Sequence, residues 1–261
     1  MLKSFSTAAT GMIGQQMMVD VIANNLANVN TTGFKRSQID FQDLVYVSQK
    51  DPGTEVASGV YSPSGIEIGS GVRPGGTVKV YSTGELQNTG RDLDIAIEGD
   101  GFLKVLTPNG DTRYTRDGSL QTNASGQLVT STGYPLEPAI TIPTDTSSIH
   151  IGVDGSINVT NASGVRSVVG TLELATFPNP SGLASEGGNL LSETDASGSP
   201  VAGVPGQNGI GSIRSGFLEK SNVQMVNELV NLITAQRAYE INSKAITVGD
   251  EMLQATNNLV R

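Results

Sequence analysis

At both ends of the chain, apolar residues recur at alternating steps of three and four. No intervening stretch does so. Near the N-terminus Leu2, Phe5, Ala9, Met12, Val19, Ala23 and Leu26 share this spacing, interrupted only by Gln16. Near the C-terminus Leu232, Tyr239, Ile246 and Leu253 lie one heptad apart, as do Ala238, Ala245, Met252 and Leu259. A repeat near 3.5 residues keeps such positions on one helix face and suits a coiled-coil seam. The pattern predicts a first helix over residues 4–29, stopped by Asn30-Thr31-Thr32-Gly33, with Gly33 as a left-handed cap. It predicts a second helix over 222–259, with Ser221 as N-cap. Gly249 is a weak point inside it, costing roughly 1 kcal/mol against Ala.

Between these ends the periodicity shortens. Residues 77–81, 93–97 and 102–106 read as strands. Turn signals follow at Asn109-Gly110, Asp117-Gly118, Ser125-Gly126, Asp154-Gly155 and Ser163-Gly164, which suggest hairpins in an antiparallel sandwich or barrel-like domain. The clearest hairpin is 149–153 returning as 156–160. Residues 168–177 read as one further strand, with Gly170, Leu172 and Leu174 on one face and Thr171, Glu173 and Ala175 on the other. Gly216 to Glu219 reads as a last one. Phe41, Leu44 and Val45 offer a local core, whereas 48–76 and 178–211 are rich in Gly, Ser and Pro and read as arm or loop.

The expected fold class is therefore α+β, mainly β. Its terminal helices pair as a coiled-coil domain (1–33 and 221–261). A connecting region with an extended arm follows (34–76 and 212–220), and then an antiparallel β-rich domain (77–211). Two helices of a narrow apolar stripe are marginal alone, so both ends must find partners.

Composition sharpens this picture. Aromatics make up 5% of the 261 residues and Trp is absent, while Gly numbers 32. Large core residues are scarce, and turns are plentiful. A net charge of −9 argues against nucleic-acid binding, which needs a basic footprint. With no Cys, disulfide and thiolate chemistry are excluded. No apolar run is long enough to span a membrane. The uncharged stretch 4–19 carries Ser, Thr and Gln and lacks a Leu-rich centre, so the helical stripe explains it better than a secretory leader. A site of action outside the cytoplasm then implies export without a cleaved Sec signal.

Little in the chain suggests catalysis. His150 is the sole histidine, flanked by Ile149 and Ile151, and reads as an exposed strand residue. No Gly-x-Ser-x-Gly elbow accompanies it, and one His without Cys cannot hold zinc. Asp92 with Asp94 and Asp250 with Glu251 pair carboxylates in sequence. A glycosidase would also need aromatics to hold a sugar ring. The expectation is no catalytic residue, no cofactor and no metal site.

The helical stripes have a plain alternative, as intramolecular core. Their seam, however, includes Ala9, Gln16, Ala23, Ala238 and Ala245, which bury little area each. Apolar residues also sit off the seam, at Ile13, Ile22, Ile233 and Val248. A helix apolar on more than one side expects more than one neighbour. The candidate self-association residues are Leu2, Phe5, Ala9, Met12, Val19, Leu26, Leu232, Tyr239, Ile246 and Leu253.

The run from Ala23 to Lys35, containing Asn24, Asn25, Asn28, Gly33 and Phe34, resembles the N-terminal signature of the bacterial flagellar rod and hook family. The run from Gln236 to Ala245, containing Arg237, Glu240 and Asn242, resembles that family's C-terminal signature. Gly71-Val72-Arg73-Pro74, Leu93 to Phe102, Tyr114 to Ser119 and Pro138 to Pro143 are similar to the same family's interior. The length leaves no room for the additional outer domains of hook members. The resemblance implies an exported structural subunit that stacks helically into a hollow shaft in the flagellar basal body. Its partners would be itself, proximal-rod and hook proteins, the P- and L-ring proteins, the rod cap and the flagellar export apparatus. It implies that Tyr46 to Pro63 bridges neighbouring subunits. The rival readings are another axial protein of the flagellum, such as a proximal rod or short hook, and a cell-wall glycan-binding or hydrolytic protein.

Overall fold

The computed structural model describes residues 2–53, 55–57 and 60–259, with the side chains of Leu2, residues 55–57, Val60 and Leu259 outside the description. Two α-helices, α1 (Leu2–Ala27) and α2 (Met225–Leu259), stand at the ends, and short strands fill the middle. The chain divides into two compact units. One comprises Met1–Leu26, Ser37–Val78 and Gln224–Arg261, and the other Ala27–Arg36 and Lys79–Val223.

The β-rich unit holds both hydrophobic clusters. Its seven-stranded antiparallel sheet runs Ala184–Gly187, Leu190–Ser192, Thr112–Thr115, Phe102–Leu106, Leu174–Thr176, Val201–Gly203, with Leu136–Glu137 also pairing onto Phe102–Leu106. A three-stranded sheet follows in chain order, Thr146–Ile151, Ser156–Asn161 and Arg166–Thr171. Ile95, Ile97, Leu103, Val105, Leu128, Ile157 and Leu174 form the main core. Phe102, Tyr114 and Phe177 build a second cluster through edge-to-face ring contacts, which aromatic quadrupoles favour. Burial pushes the hydroxyls of Tyr81 and Tyr114 up to about 12.

The predicted hairpin forms with Ile149 opposite Val159 and Ile151 opposite Ile157, and His150 is exposed on it. Other expectations need correction. The strand expected over 77–81 is Val72–Lys79, paired with Ser37–Asp43 in the other unit. The strand expected over 168–177 breaks into Arg166–Thr171 and Leu174–Thr176. Leu172 N–H turns instead to Gly155 C=O, so Leu172, Leu174 and Ala175 are all buried and their alternation is lost. The stretch 178–211 is not all loop. It supplies three short strands whose backbone extends the large sheet at both edges, a role that needs few apolar side chains. Asp117-Gly118 makes no hairpin. Asp117 is buried, and its Oδ1 accepts from Thr32 Oγ1 at 2.9 Å and Ser119 N–H at 3.0 Å.

The helical unit has almost no core. Its buried apolar side chains among the described residues are Ala8, Ile22 and Ala235. Phe41 and Val45 are 38% and 81% exposed, so the expected local core does not form. The arm folds as two small ribbons, Val47–Lys50 with Ile66–Ile68 and Glu55–Ala57 with Val60–Tyr61.

α2 begins three residues later than expected, at Met225. Ser221 does not cap it: its Oγ accepts from Val223 N–H at 3.3 Å, and the Gln224 carbonyl accepts from Glu228 N–H, opening the helix. α1 ends at Ala27 in a turn closed by Thr31 N–H on Asn28 C=O.

Candidate assembly surface

α1 and α2 run antiparallel and touch at two small residues. A Cβ at Gly11 would lie 3.0 Å from Asn242 Nδ2, and one at Gly249 would lie 2.9 Å from the Phe5 ring. Gly249 is therefore the recess that admits Phe5, which explains a helix-weakening residue in mid-helix. Another flank of α1 rests on the ribbon of Ser37–Asp43 and Val72–Lys79, where Gly14 faces Phe41 and Val72.

The inward residues of α1 include Ala8, Ile22 and Asn25. They lie one position N-terminal to the stripe read from sequence. Of that stripe, Phe5, Ala9, Met12, Val19 and Leu26 are half-buried, while Gln16 and Ala23 are exposed. Ile22 is buried, not on an outer face, whereas Ile13, Ile233 and Val248 are 52%, 51% and 46% exposed. On α2, Leu232 and Ile246 are half-buried, and Tyr239 and Leu253 are exposed. Val226, Val230, Ile241 and Met252 add further exposed apolar surface. Leu2 lies in α1, but its side chain is outside the described residues.

The signature residues separate into two groups. Asn25 is 1% exposed and bonds twice to one residue: Nδ2 donates to Ser37 C=O at 2.8 Å, and Oδ1 accepts Ser37 N–H at 2.8 Å. That pair ties α1 to the strand that follows it. Asn28 Oδ1 accepts from Thr31 Oγ1 at 3.1 Å. Gly33 has φ +66°, and a Cβ there would lie 2.7 Å from the Arg116 carbonyl. Phe34 is half-buried. In contrast Asn24, Gln236, Arg237 and Glu240 have exposed side chains, and Asn242 faces Gly11.

One group of residues escaped the sequence reading. Lys35, Arg116 and Glu219 converge in the β-rich unit, each nearly inaccessible to solvent. Lys35 Nζ donates to Glu219 Oε1 at 2.6 Å and Arg116 Nε to Oε2 at 2.7 Å. Burial lowers the Lys35 pKa, with the Arg116 charge adding to it. For Glu219 burial acts upward, but the Arg116 and Lys35 charges and their hydrogen bonds outweigh it and hold the carboxyl below its usual range. Lys35 and Arg116 stood inside recognised motifs, but no spacing rule links partners a hundred or more residues apart.

No catalytic arrangement emerges from these groups. Asp94 is buried and accepts from Thr89 Oγ1 at 2.6 Å, while Asp92 is exposed, so the two share no cleft. Among the described residues no three His, Cys, Asp or Glu converge as a metal site.

Three family models match parts of the chain. Residues 5–35 match the model described as flagella basal body rod protein. Residues 96–159 match the flagellar hook protein FlgE/F/G D1 domain, and 214–259 the flagellar basal body rod FlgEFG protein C-terminal. The flagellar basal-body rod protein FlgG of Buchnera aphidicola subsp. Schizaphis graminum is 47% identical over 99% of this chain and 100% of its own. That of Borreliella burgdorferi is 45% identical over the full length of both, and that of Bacillus subtilis 42%. The chain belongs to the flagellar basal-body rod family. It is a structural subunit of the distal rod, located in the flagellar basal body. The rod subunit has no helix, among the described residues, long and apolar enough to cross a membrane.

Proposed function

We propose that the subunit polymerises helically into a hollow drive shaft that carries motor torque across the periplasm to the hook. In this reading the terminal helices (1–33 and 221–261) pair along their length as a coiled-coil inner domain around a central channel. Residues 77–211 form the outer layer, and 34–76 with 212–220 connect the two. The observation that carries it is the contrast between the units. The β-rich unit encloses two apolar clusters, while the helical unit leaves Ile13, Ile233, Tyr239, Ile241 and Met252 in solvent. Surface of that kind is an interaction site awaiting neighbours.

The self-association set is Leu2, Phe5, Ala9, Met12, Val19, Leu26, Leu232, Tyr239, Ile246 and Leu253. Its exposed members meet other copies and its half-buried members complete the seam. The helices order as they assemble, because one copy buries too little apolar area to offset their conformational entropy. The arm, with Val45, Tyr46, Val47 and Tyr61 exposed, lies against adjacent subunits. Proximal-rod and hook proteins adjoin the polymer ends, P- and L-ring proteins surround it, and the rod cap and export apparatus serve its delivery. The subunit performs no reaction and requires no cofactor.

Electron microscopy of the purified chain, concentrated with and without isolated rod fragments as seeds, tests the reading. Tubes of uniform diameter are expected. A chain that remains monomeric at high concentration and adds to no seed overturns it.

A further inference from the structure

Three stretches distant in sequence are knitted together inside the β-rich unit: residues 31–36, which follow α1; 79–85; and 217–223, which lead into α2. Gly33 N–H donates to Glu219 C=O at 2.8 Å, Val80 N–H to Arg36 C=O at 3.0 Å, and Lys220 N–H to Glu85 C=O at 2.9 Å. Asn222 adds a side-chain bridge. Its Oδ1 accepts Arg36 N–H at 2.8 Å, and its Nδ2 donates to Val80 C=O at 2.8 Å. At the centre the Glu219 carboxylate accepts from Lys35, from Arg116 and from Gly84 N–H at 2.8 Å. The remaining Arg116 donors reach the carbonyls of Ile97, Gly99 and Gly101 at 3.2, 2.7 and 3.1 Å. Lys35 also donates to Ser82 C=O at 2.8 Å.

As adhesive this arrangement is inefficient. Desolvating three charges consumes much of what their attraction returns, and apolar packing of equal volume often stabilises as well. Charged hydrogen bonds do differ from apolar contacts in being directional, so they select one register among many. The register selected here is where the chain leaves the β-rich unit toward each terminal helix.

The geometry points to a clasp in which Lys35, Arg116, Glu219 and Asn222 are positioning residues for self-assembly, holding both helix exits in one register before any neighbouring subunit arrives. The inference rests on the assembly reading above. Two helices that order on assembly start from fixed roots, so less chain entropy is lost in bringing them together. Lys35, Arg116 and Glu219 are buried within their own unit, so they influence a neighbour only through the segments they hold.

The absence of cysteine makes the clasp measurable. Cysteines introduced at the exposed Asn30 and Lys220 carry spin labels, and their distance distribution is read on the monomer by double electron–electron resonance. The variants are Glu219→Gln, Lys35→Met and Asn222→Ala, the last stranding no buried charge. Hydrogen exchange at Ile95–Glu98 and Phe102–Leu106 reports whether the core remains folded. The expected result is a narrow distribution in the wild type and a broad one in the variants. The critical concentration for polymerisation should rise about tenfold or more while core protection is retained. Joining the two cysteines of Asn222→Ala with a bifunctional maleimide should restore polymerisation, which a merely stabilising role would not predict. Distributions that stay narrow in all three variants overturn the clasp, as does unchanged polymerisation after the distribution has broadened. A wild-type chain that never polymerises overturns the assembly reading instead, and the monomer distances still judge the clasp.

Discussion

Asn25, Gly33 and Glu219 show how much of this molecule depends on single residues at the roots of the helices. Gly33 occupies a left-handed conformation with backbone where a side chain would begin. Gly33→Ala should therefore cost about 2–3 kcal/mol through strain and forced displacement. That corresponds to a fall of roughly 5–10 °C in the melting temperature of the β-rich unit, checked by calorimetry. Glu219 makes a pH prediction. Its carboxyl titrates lower when folded than in the unfolded chain, so it contributes stability in full above the unfolded value of 4.5. That contribution disappears as pH falls through the lower folded value. Urea denaturation from pH 7 to pH 3 should show the wild type losing stability below about pH 4.5. Glu219→Gln, weaker at neutral pH, should lose less over the same range. Parallel curves for the two proteins would count against the assignment.

At the scale of elements the terminal helices are amphipathic in an unusual way. α1 turns Ala8, Ile22 and Asn25 inward and leaves the more regular stripe at the margin. The two helices meet at Gly11 and Gly249, where backbones approach closely but little area is buried. Leu26→Asp or Tyr239→Asp should abolish polymerisation and leave the β-rich unit folded, read by sedimentation beside far-UV circular dichroism. Wild-type polymerisation of both variants would remove the seam from consideration. Hydrogen exchange gives a second readout. Amides of residues 23–29 and 235–253 should exchange rapidly in the monomer and slowly in the polymer, whereas Phe102–Leu106 should be protected in both. Strong protection of the helices before assembly would contradict ordering on assembly. The strands teach a complementary lesson. Ile149–Ile151 against Ile157–Val159 was legible because alternation and a turn signal coincide. Ala184–Gly187 and Val201–Gly203 were not, because they join the sheet mainly by backbone pairing and their side chains are exposed.

For the whole molecule, the enclosed core and much of the exposed apolar helix surface occupy different parts of one chain. The β-rich unit encloses its core within a single copy, and the helical unit holds its apolar residues outward. On the proposed reading, that division suits a subunit exported as a monomer and rigid only in its polymer. The sequence by itself determined the helical ends, the β-rich middle and, through the signatures around residues 23–35 and 236–245, the family. Periodicity and local motifs are properties of neighbouring residues, so they survive in one dimension. Tertiary structure alone decided which flank of α1 faces inward, that Phe5 fills the recess at Gly249, and that Lys35, Arg116 and Glu219 share one buried site. Those depend on groups brought together from separate parts of the chain, where charge and shape are matched by the fold and leave no periodic trace in the sequence.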